Sequence, residues 1–130
     1  MTETRTTRPA NTARPLTWLA WAITALTVVM AVLGILIATG QHSLRDAHGG
    51  LGYLNVVLGV IAAVLAFRHA RATGRMGTFY HALALPILMV IQIVLAETDL
   101  QTVHMTVGIA MLVAAIGLAT MIGRETKVTN

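Results

Sequence analysis

Hydrophobic positions in the chain fall into four long runs separated by short polar stretches. The runs cover residues 16–39, 46–67, 79–96 and 102–122, and each is close to the roughly 20 apolar residues that an α-helix needs to cross a bilayer. Because the connections are short, consecutive helices are expected to be antiparallel neighbours. The pattern therefore predicts an all-α integral membrane protein, an up-down four-helix bundle made of two tandem helical hairpins.

The segments outside the runs are polar. Residues 1–15 are rich in Thr, Arg and Pro and predict a disordered cytoplasmic leader before the membrane domain of residues 16–122, and residues 123–130 form a polar cytoplasmic tail. The first run ends in a segment, Ala38–Gly40, that resembles a signal-peptide cleavage site. The apolar core of a signal peptide is shorter, about 7–15 residues, so this run is predicted to be an uncleaved membrane helix.

Two four-residue segments have the form of a capping box, in which a Ser or Thr side chain starts a helix. They are residues 43–46 and 98–101, and they predict the starts of the second and fourth helices. Pro86 lies inside the third run and predicts a kink there.

Composition agrees with a membrane protein and excludes several function classes. The chain is 56% hydrophobic and 11% charged, whereas a soluble domain carries about a quarter charged residues. Its net charge of +4 comes from residues that flank the apolar runs, which does not indicate nucleic-acid binding. Cysteine is absent from the sequence, so disulfides, iron–sulfur clusters and thiolate zinc sites are excluded.

The distribution of basic residues predicts how the bundle is oriented. The leader, the 68–77 turn and the tail hold nearly all of them: Arg5, Arg8, Arg14, Arg68, Arg71, Arg75, Arg124 and Lys127. The other two loops contain only Arg45 among basic residues. By the positive-inside rule, both termini are expected in the cytoplasm, with the loops around 40–46 and 97–101 on the outer face.

A pair of histidines stands out because each lies just inside an apolar run. A shift of 56 residues places His48 on His104 and Gly52 on Gly108, which suggests that each hairpin is one unit of a structural repeat. In an up-down bundle the second and fourth helices are parallel. The two histidines are therefore predicted to lie at nearly one depth and to face each other.

Facing histidines on parallel helices suggest haem binding. A flat macrocycle between two helices needs an axial nitrogen from each side, and it needs small residues where the ring approaches the backbone. The hypothesis is one haem b with His48 and His104 as axial metal ligands, with Gly52 and Gly108 beside the ring. Arg45 would pair with the propionates.

Structural explanations exist for the same residues. Glycines on membrane helices serve helix packing, and an interfacial histidine can bind a headgroup or a carbonyl. Arg45 can be a simple interfacial charge, while Asn55 and Gln92 are expected to make interhelical hydrogen bonds. Three further histidines are interpreted as interfacial residues without a function: His42, His69 and His81.

A four-helix unit with histidines at the outer ends of its second and fourth helices resembles one half of the haem A synthase family. Members consist of two such halves, with haem b in the second. Gln92–Ala96 followed by His104, and His48 with its glycine-rich continuation, are similar to that family's segments. Small actinobacterial four-helix membrane proteins have a His-x-x-x-Gly-Tyr segment similar to residues 48–53. The resemblance implies haem binding in a bacterial plasma membrane.

The synthase reaction itself is not expected to carry over. The family's glutamate three residues before the histidine is Arg45 here, and its following arginine is Gly49. No catalytic residue is predicted, and two axial imidazoles favour electron transfer or haem handling. Expected partners are membrane lipid and a quinol or a respiratory haem protein, and a homodimer is the expected association, with a monomer as the alternative.

Two alternative functions remain open at this point. One is a cofactor-free accessory or structural subunit of a respiratory complex. The other is a copper or zinc protein. Its ligands would come from His42, His48, His104, Asp46, Glu97 and Met105.

Overall fold

The computed structural model describes residues 13–128, with side chains described as far as residue 125. It contains α1 (Ala13–Ala38), a 3₁₀ turn (His42–Leu44), α2 (Arg45–Thr73), α3 (Met76–Glu97) and α4 (Gln101–Val128). All four α-helices are long and apolar enough to cross a membrane. The predicted all-α, up-down, membrane-spanning bundle is therefore confirmed.

Consecutive helices pack against each other, and α1 also packs against α4. The pairs α2 with α4 and α1 with α3 therefore lie on the diagonals, and the members of each pair run parallel. The buried interior is built largely from small residues such as Ala20, Ala62 and Ala66, while large apolar side chains such as Ile109 and Val113 are exposed. This is the pattern of a lipid-embedded bundle, in which small residues allow close helix approach.

Burial repeats along the chain and shows that the two hairpins are structurally equivalent. Each buried residue of α4, within the part whose side chains are described, lies 56 positions after a buried residue of α2. The pairs are Asn55 and Met111, Gly59 and Ala115, Ala62 and Leu118, Ala63 and Ala119, and Ala66 and Ile122. The hairpins are therefore related by an approximate two-fold axis along the bundle.

The first and third helices match as well, with a shift of 62. The matching buried pairs are Leu16 and Thr78, Ala20 and Ala82, Ile23 and Leu85, Thr24 and Pro86, and Thr27 and Met89. The shift is larger because α1 extends further past its last matched residue than α3 does, and because the connection 39–44 is longer than the connection 98–100. The extra length lies entirely at one end of the bundle.

Two helices are longer than the hydrophobic pattern predicts. α2 continues to Thr73, through the segment interpreted as a basic turn, and α4 continues to Val128 rather than ending near residue 122. α2 ends at Gly74, whose φ of 77° lies in the left-handed region and whose N–H bonds to the Ala70 carbonyl at 2.8 Å. Cations such as Arg71 in the last turn are favourable beside the helix C-terminus, so a polar segment can remain helical there.

The two predicted capping boxes are wrong. Leu44 occupies the N-cap of α2 and no side chain bonds there, while Ser43 lies within the 3₁₀ turn. The Thr98 hydroxyl donates back to the carbonyls of Val94 and Leu95, at 3.2 and 3.1 Å, so it ends α3 instead of starting α4. A threonine hydroxyl at a helix end can reach the carbonyls three and four residues before it, and that competes with capping.

Pro86 is buried inside α3, where it faces a glycine of α2. A Cβ added at Gly59 would lie 3.3 Å from the Pro86 Cβ and 3.1 Å from the Met89 sulfur. Gly59 therefore lets α2 and α3 pack closely. Of the predicted leader, residues 1–12 lie outside the described residues, and residues 13–15 begin α1.

Candidate functional site

The two paired histidines meet inside the bundle. His48 is the fourth residue of α2 and His104 is the fourth residue of α4, so the diagonal helices present them at the same level. Their ring centroids are 6.2 Å apart and their planes are inclined by 58°. Both side chains are half-buried. The structure thus brings together the pair that the sequence repeat singled out.

The histidines lie on the wall of a cavity of about 550 Å³. All four helices contribute to its lining, which includes Arg45 and Gly52 of α2 and Gln92 of α3. On α4 it extends from Gln101 to Met111, a depth of about 15 Å at the helical rise of about 1.5 Å per residue. A volume of this size lies within the roughly 300–1,000 Å³ range of small-molecule sites. We call this part of the molecule, with the connections 39–44 and 98–100, the His48 end.

Gln92 holds His104 in place through two hydrogen bonds. The His104 Nδ1 lies 3.0 Å from the Gln92 carbonyl oxygen, and the Gln92 side-chain Nε2 donates to the His104 carbonyl oxygen at 2.9 Å. A carbonyl can only accept, so Nδ1 is the nitrogen that carries the proton. This tautomer leaves the lone pair of Nε2 available for a ligand.

The two glycines that follow the histidines have different neighbours. A Cβ added at Gly108 would lie 2.8 Å from the Gln92 Nε2, so Gly108 provides the space that the Gln92 amide occupies. Gly108 is not part of the cavity lining, whereas Gly52 is. A Cβ at Gly52 would meet only the flexible end of Met30, 3.4 Å away. The repeat therefore relates residues whose local roles have diverged.

His48 packs against α1 on its other side. A Cβ added at Gly34 would lie 3.6 Å from the His48 Cε1, so this glycine allows the ring to approach the α1 backbone. The Met30 backbone carbonyl lies near the ring, and the buried Nδ1 has no hydrogen-bond partner within the described residues. His48 consequently keeps unfilled hydrogen-bonding capacity inside the bundle.

Unsatisfied polar atoms concentrate around this cavity. The structure has three buried side-chain polar atoms without a hydrogen-bond partner in its described part, and they belong to His48, Asn55 and Gln92. All three residues line the cavity. Leaving a buried polar group unpaired costs about 1–3 kcal/mol, so such groups call for an explanation. The buried polar atoms without a partner in the described chain thus all belong to residues at the His48 end.

The mouth of the cavity has charges of both signs. Arg45 and His42 line it on the side of the first connection, and Glu97 and Asp99 line it on the side of the second. Arg45 is exposed and forms no ion pair with any side chain described. An anionic group at the mouth would therefore be drawn to the Arg45 side.

The structure does not assemble the copper or zinc ligand set considered from the sequence. No group of three or more His, Cys, Asp or Glu side chains able to hold a metal ion occurs in the described part of the chain. Asp46 and the exposed His42 belong to the same end of the bundle, but Asp46 does not line the cavity. Among the residues that the structure describes, His48 and His104 remain as a pair without a third ligand of these types.

The opposite end of the bundle holds a polar cluster that the sequence interpretation missed. Glu125 of α4 accepts hydrogen bonds from His69 Nε2 at 2.9 Å and from Thr78 Oγ1 at 2.9 Å, and it pairs with Arg75 Nη1 at 3.1 Å. We call this the Glu125 end. The hydrophobic pattern placed residue 125 in a polar tail, yet the 56-residue shift that relates the paired histidines also places His69 on Glu125.

His69 and His81 both contact other helices of the bundle. His69 is 5% exposed and faces the bundle interior. The His81 Nε2 donates to the Ala114 carbonyl at 2.8 Å, and its ring lies against Gly117. Helix contacts explain both positions. Asn55 makes the interhelical hydrogen bond expected of it, donating from Nδ2 to the Thr27 hydroxyl at 3.0 Å.

Comparison with protein-family models, with curated proteins and with solved structures found no match to this chain. The four-helix membrane architecture is therefore the level at which the protein is classified.

Proposed function

We propose that the protein is a small membrane b-type cytochrome that holds one haem b between His48 and His104. The observation that carries this proposal is the 6.2 Å separation of the two imidazole centroids across the cavity. Metal–imidazole bonds of about 2 Å on each side, added to the half-widths of two rings, give a centroid separation of about 6 Å. The observed separation is therefore compatible with one metal ion between the two rings.

The donor set favours a haem over a bare metal ion. Only two histidines converge in the described part of the site, so a metal ion there would need its other ligands from elsewhere. A porphyrin supplies these in the plane between two axial positions. The bond from His104 Nδ1 to the Gln92 carbonyl also supports the proposal, because metal-bound imidazoles commonly donate their other ring N–H to such a group.

The surroundings of the histidines fit a macrocycle with anionic substituents. The cavity reaches from the mouth to Asn55 and Met111 and has a volume of about 550 Å³. Gly52 keeps the wall beside His48 free of a side chain. Arg45 stands at the mouth without an ion-pair partner in the described chain and is the group that would pair with the propionates.

A haem bound in this way supplies one-electron redox chemistry. With both axial positions filled by side chains of this chain, electron transfer or haem handling is the role that follows. The electron donor would be a membrane quinol or a respiratory haem protein. Both termini would lie in the cytoplasm, which places the histidines near the outer face of a bacterial plasma membrane.

Absorption spectroscopy tests the proposal directly. The protein is expressed with haem supply, purified in detergent and examined as a reduced-minus-oxidised difference spectrum. We expect sharp reduced bands at one haem per chain, lost in His48→Ala and in His104→Ala. The matched control is His42→Ala, which removes an exposed histidine at the cavity mouth and should retain the spectrum.

Two outcomes would contradict the proposal. A colourless wild-type protein under haem supply would favour the cofactor-free accessory subunit, which predicts co-purification with a larger respiratory complex. A spectrum that persists in both His48→Ala and His104→Ala would place any haem elsewhere. The variants should keep the helical content of the wild type in circular dichroism, which shows that loss of haem is not due to loss of the fold.

A further inference from the structure

Each histidine of the pair lies beside a backbone carbonyl of the helix that precedes its own. The Met30 carbonyl of α1 lies near the His48 ring, and the Gln92 carbonyl of α3 lies 3.0 Å from His104 Nδ1. The shift of 62 that relates α1 to α3 places Met30 on Gln92, just as the shift of 56 places His48 on His104. The two hairpins therefore present equivalent backbone groups to their histidines.

The side chains at the matched positions 30 and 92 differ in what they can donate. The Gln92 amide donates to the His104 carbonyl at 2.9 Å, in space that Gly108 leaves free. The Met30 methyl occupies the equivalent place beside Gly52, where an added Cβ would lie 3.4 Å from it. A thioether has no N–H to donate. The Met30 side chain therefore cannot tie α1 to α2 in the way that Gln92 ties α3 to α4.

The two rings differ accordingly in their own hydrogen bonds. His104 Nδ1 bonds to the Gln92 carbonyl, whereas His48 Nδ1 is buried and has no partner within the described residues. An imidazole that binds a metal through Nε2 carries its proton on Nδ1. The group that accepts this proton orients the ring and strengthens it as a ligand, and its loss costs about 10–100-fold in metal affinity. His104 is therefore the stronger ligand of the pair.

We propose that His104 is the permanent axial ligand of the haem and His48 the exchangeable one, so that a small neutral ligand can replace His48. The inference rests on the proposed cytochrome function and favours haem handling over electron transfer as its role. Haem can be passed to another protein only if its axial ligands dissociate, and a weak first ligand makes that easier. In the exchange, the bond from His48 Nε2 breaks and a bond to the incoming ligand forms, with no electron transferred.

Nitrogen NMR of the apoprotein tests the difference between the rings without haem. The full-length protein, with histidine labelled by the heavy nitrogen isotope, is purified in detergent without haem supply and examined at a pH at which the rings are neutral. We expect His104 to be a single Nδ1–H tautomer and His48 to be a mixture of both tautomers, because only His104 has an acceptor for the Nδ1 proton. Spectra of His48→Ala and His104→Ala assign the signals.

Met30→Gln gives the His48 side the amide donor that it lacks. A bond from this amide to the His48 carbonyl, across the space beside Gly52, would bring the carbonyl of residue 30 within reach of His48 Nδ1. His48 should then become a single Nδ1–H tautomer. The matched control is Met30→Leu, which has a similar volume but no donor and should keep the mixture of the wild type.

Carbon monoxide is the probe for ligand exchange in the haem-loaded, reduced protein. We expect it to bind to the wild type and to Met30→Leu at similar rates, because His48 dissociates readily in both. Binding to Met30→Gln should be about tenfold slower, the lower end of the effect that a hydrogen-bonded partner has on a metal ligand. In His48→Ala the sharp reduced bands should be lost while haem remains bound through His104 alone.

The outcomes separate this inference from the proposed function. A single Nδ1–H tautomer for both rings of the wild type, or haem-loaded wild type that does not bind carbon monoxide, would contradict the exchangeable role of His48 and leave the cytochrome intact. A protein that stays colourless under haem supply would contradict the cytochrome and the ligand roles with it, whatever the tautomers are. If Met30→Gln fails to fold, the two measurements on the wild type still decide.

Discussion

The two ends of the bundle are built on the same plan but are completed differently. The 56-residue repeat places His48 opposite His104 at one end and His69 opposite Glu125 at the other, in both cases across the diagonal between α2 and α4. At the Glu125 end the facing groups are acid and base, and they bond at 2.9 Å. At the His48 end the facing groups are identical, and their centroids stay 6.2 Å apart beside a cavity.

This difference shows which buried polar groups indicate a binding site. The Glu125 carboxylate is bonded by His69, Thr78 and Arg75, so its burial is explained within the protein. The unsatisfied atoms of the described structure all occur on residues that line the cavity of the other end. An ionisable residue inside a membrane bundle suggests function by default. In this protein, buried polar atoms without a hydrogen-bond partner, on residues that line a cavity, are the stronger indication of a binding site.

The largest effect on stability is expected from a substitution at the Glu125 end. Glu125→Ala would leave His69, Thr78 and Arg75 without their shared acceptor. Removing the acceptor of buried donors costs about 1–3 kcal/mol, so a loss of this order in the free energy of unfolding is expected, measured by denaturant titration in detergent. Arg124→Ala, at an exposed neighbouring position, should change it by less than about 0.5 kcal/mol. Equal effects would contradict the assignment of Glu125 as a stabilising centre.

A second variant gives the His48 end the same acid–base pairing as the Glu125 end. In His104→Glu, a carboxylate would face His48 as Glu125 faces His69. We expect haem binding to be lost and the protein to be more stable than His104→Ala by about 1–2 kcal/mol, because a charged hydrogen bond across the diagonal is formed. The measurements are the difference spectrum and denaturant titration. Retention of a normal spectrum in His104→Glu would contradict axial ligation by His104.

A third comparison tests the divergence of the two repeated glycines. Gly108→Ala would push the Gln92 amide away from the His104 carbonyl, since the new Cβ would lie 2.8 Å from Nε2. Gly52→Ala would meet only the movable Met30 methyl at 3.4 Å. Both variants gain helix propensity to a similar extent. Gly108→Ala should therefore be less stable than Gly52→Ala by about 1–2 kcal/mol, the value of a lost buried hydrogen bond.

The spectroscopic consequence of that comparison follows from the role of Gln92. In Gly108→Ala, the displaced Gln92 also loosens the position of His104, so the haem bands should broaden or shift. If Gly52→Ala were the more damaging variant, close contact of a macrocycle with α2 would be the explanation, and the steric assignment of Gly108 to Gln92 would be wrong.

The sequence predicted the parts of this structure that depend on long patterns. Four apolar runs gave four spanning helices, and the 56-residue repeat brought His48 and His104 together. Local signals were less reliable. Thr98 has the sequence of a cap but bonds back into α3. The polar segment after residue 122 continues α4 to Val128, and Glu125 within it is bonded to residues of α2 and α3.

The environment of the site depends on contacts between helices, which the pattern of hydrophobic positions in the sequence does not reveal. The hydrogen-bonded link from Gln92 to His104 joins positions on adjacent helices, and the clearance at Gly108 depends on the helix separation. The same is true of the free oxygen of Asn55, which exists only because Thr27 of α1 takes the amide N–H. A single sequence indicates which residues are polar and deep, but the three-dimensional packing decides which of their atoms stay unsatisfied.

The smallest effect on haem binding is expected from substituting Arg45, at the mouth of the cavity in the His48 end. Arg45 is exposed, so water screens its interaction with a propionate, and an exposed ion pair is worth about 0.2–1 kcal/mol. Arg45→Ala should therefore retain the haem and its absorption bands, with a loss in haem affinity of about fivefold or less, the equivalent of 1 kcal/mol.

Two controls distinguish a specific contact between Arg45 and a propionate from a general effect of net charge. They are the dependence on salt and the removal of a different exposed cation. The affinity difference between wild type and Arg45→Ala should shrink as salt is raised, since salt screens an exposed ion pair. Arg68→Ala removes an exposed cation from α2 far from the cavity and should leave haem affinity unchanged. If the two variants behave alike, the mouth has no specific anion contact. A complete loss of haem in Arg45→Ala would instead mean that the propionate contact, and not the histidine pair, dominates binding.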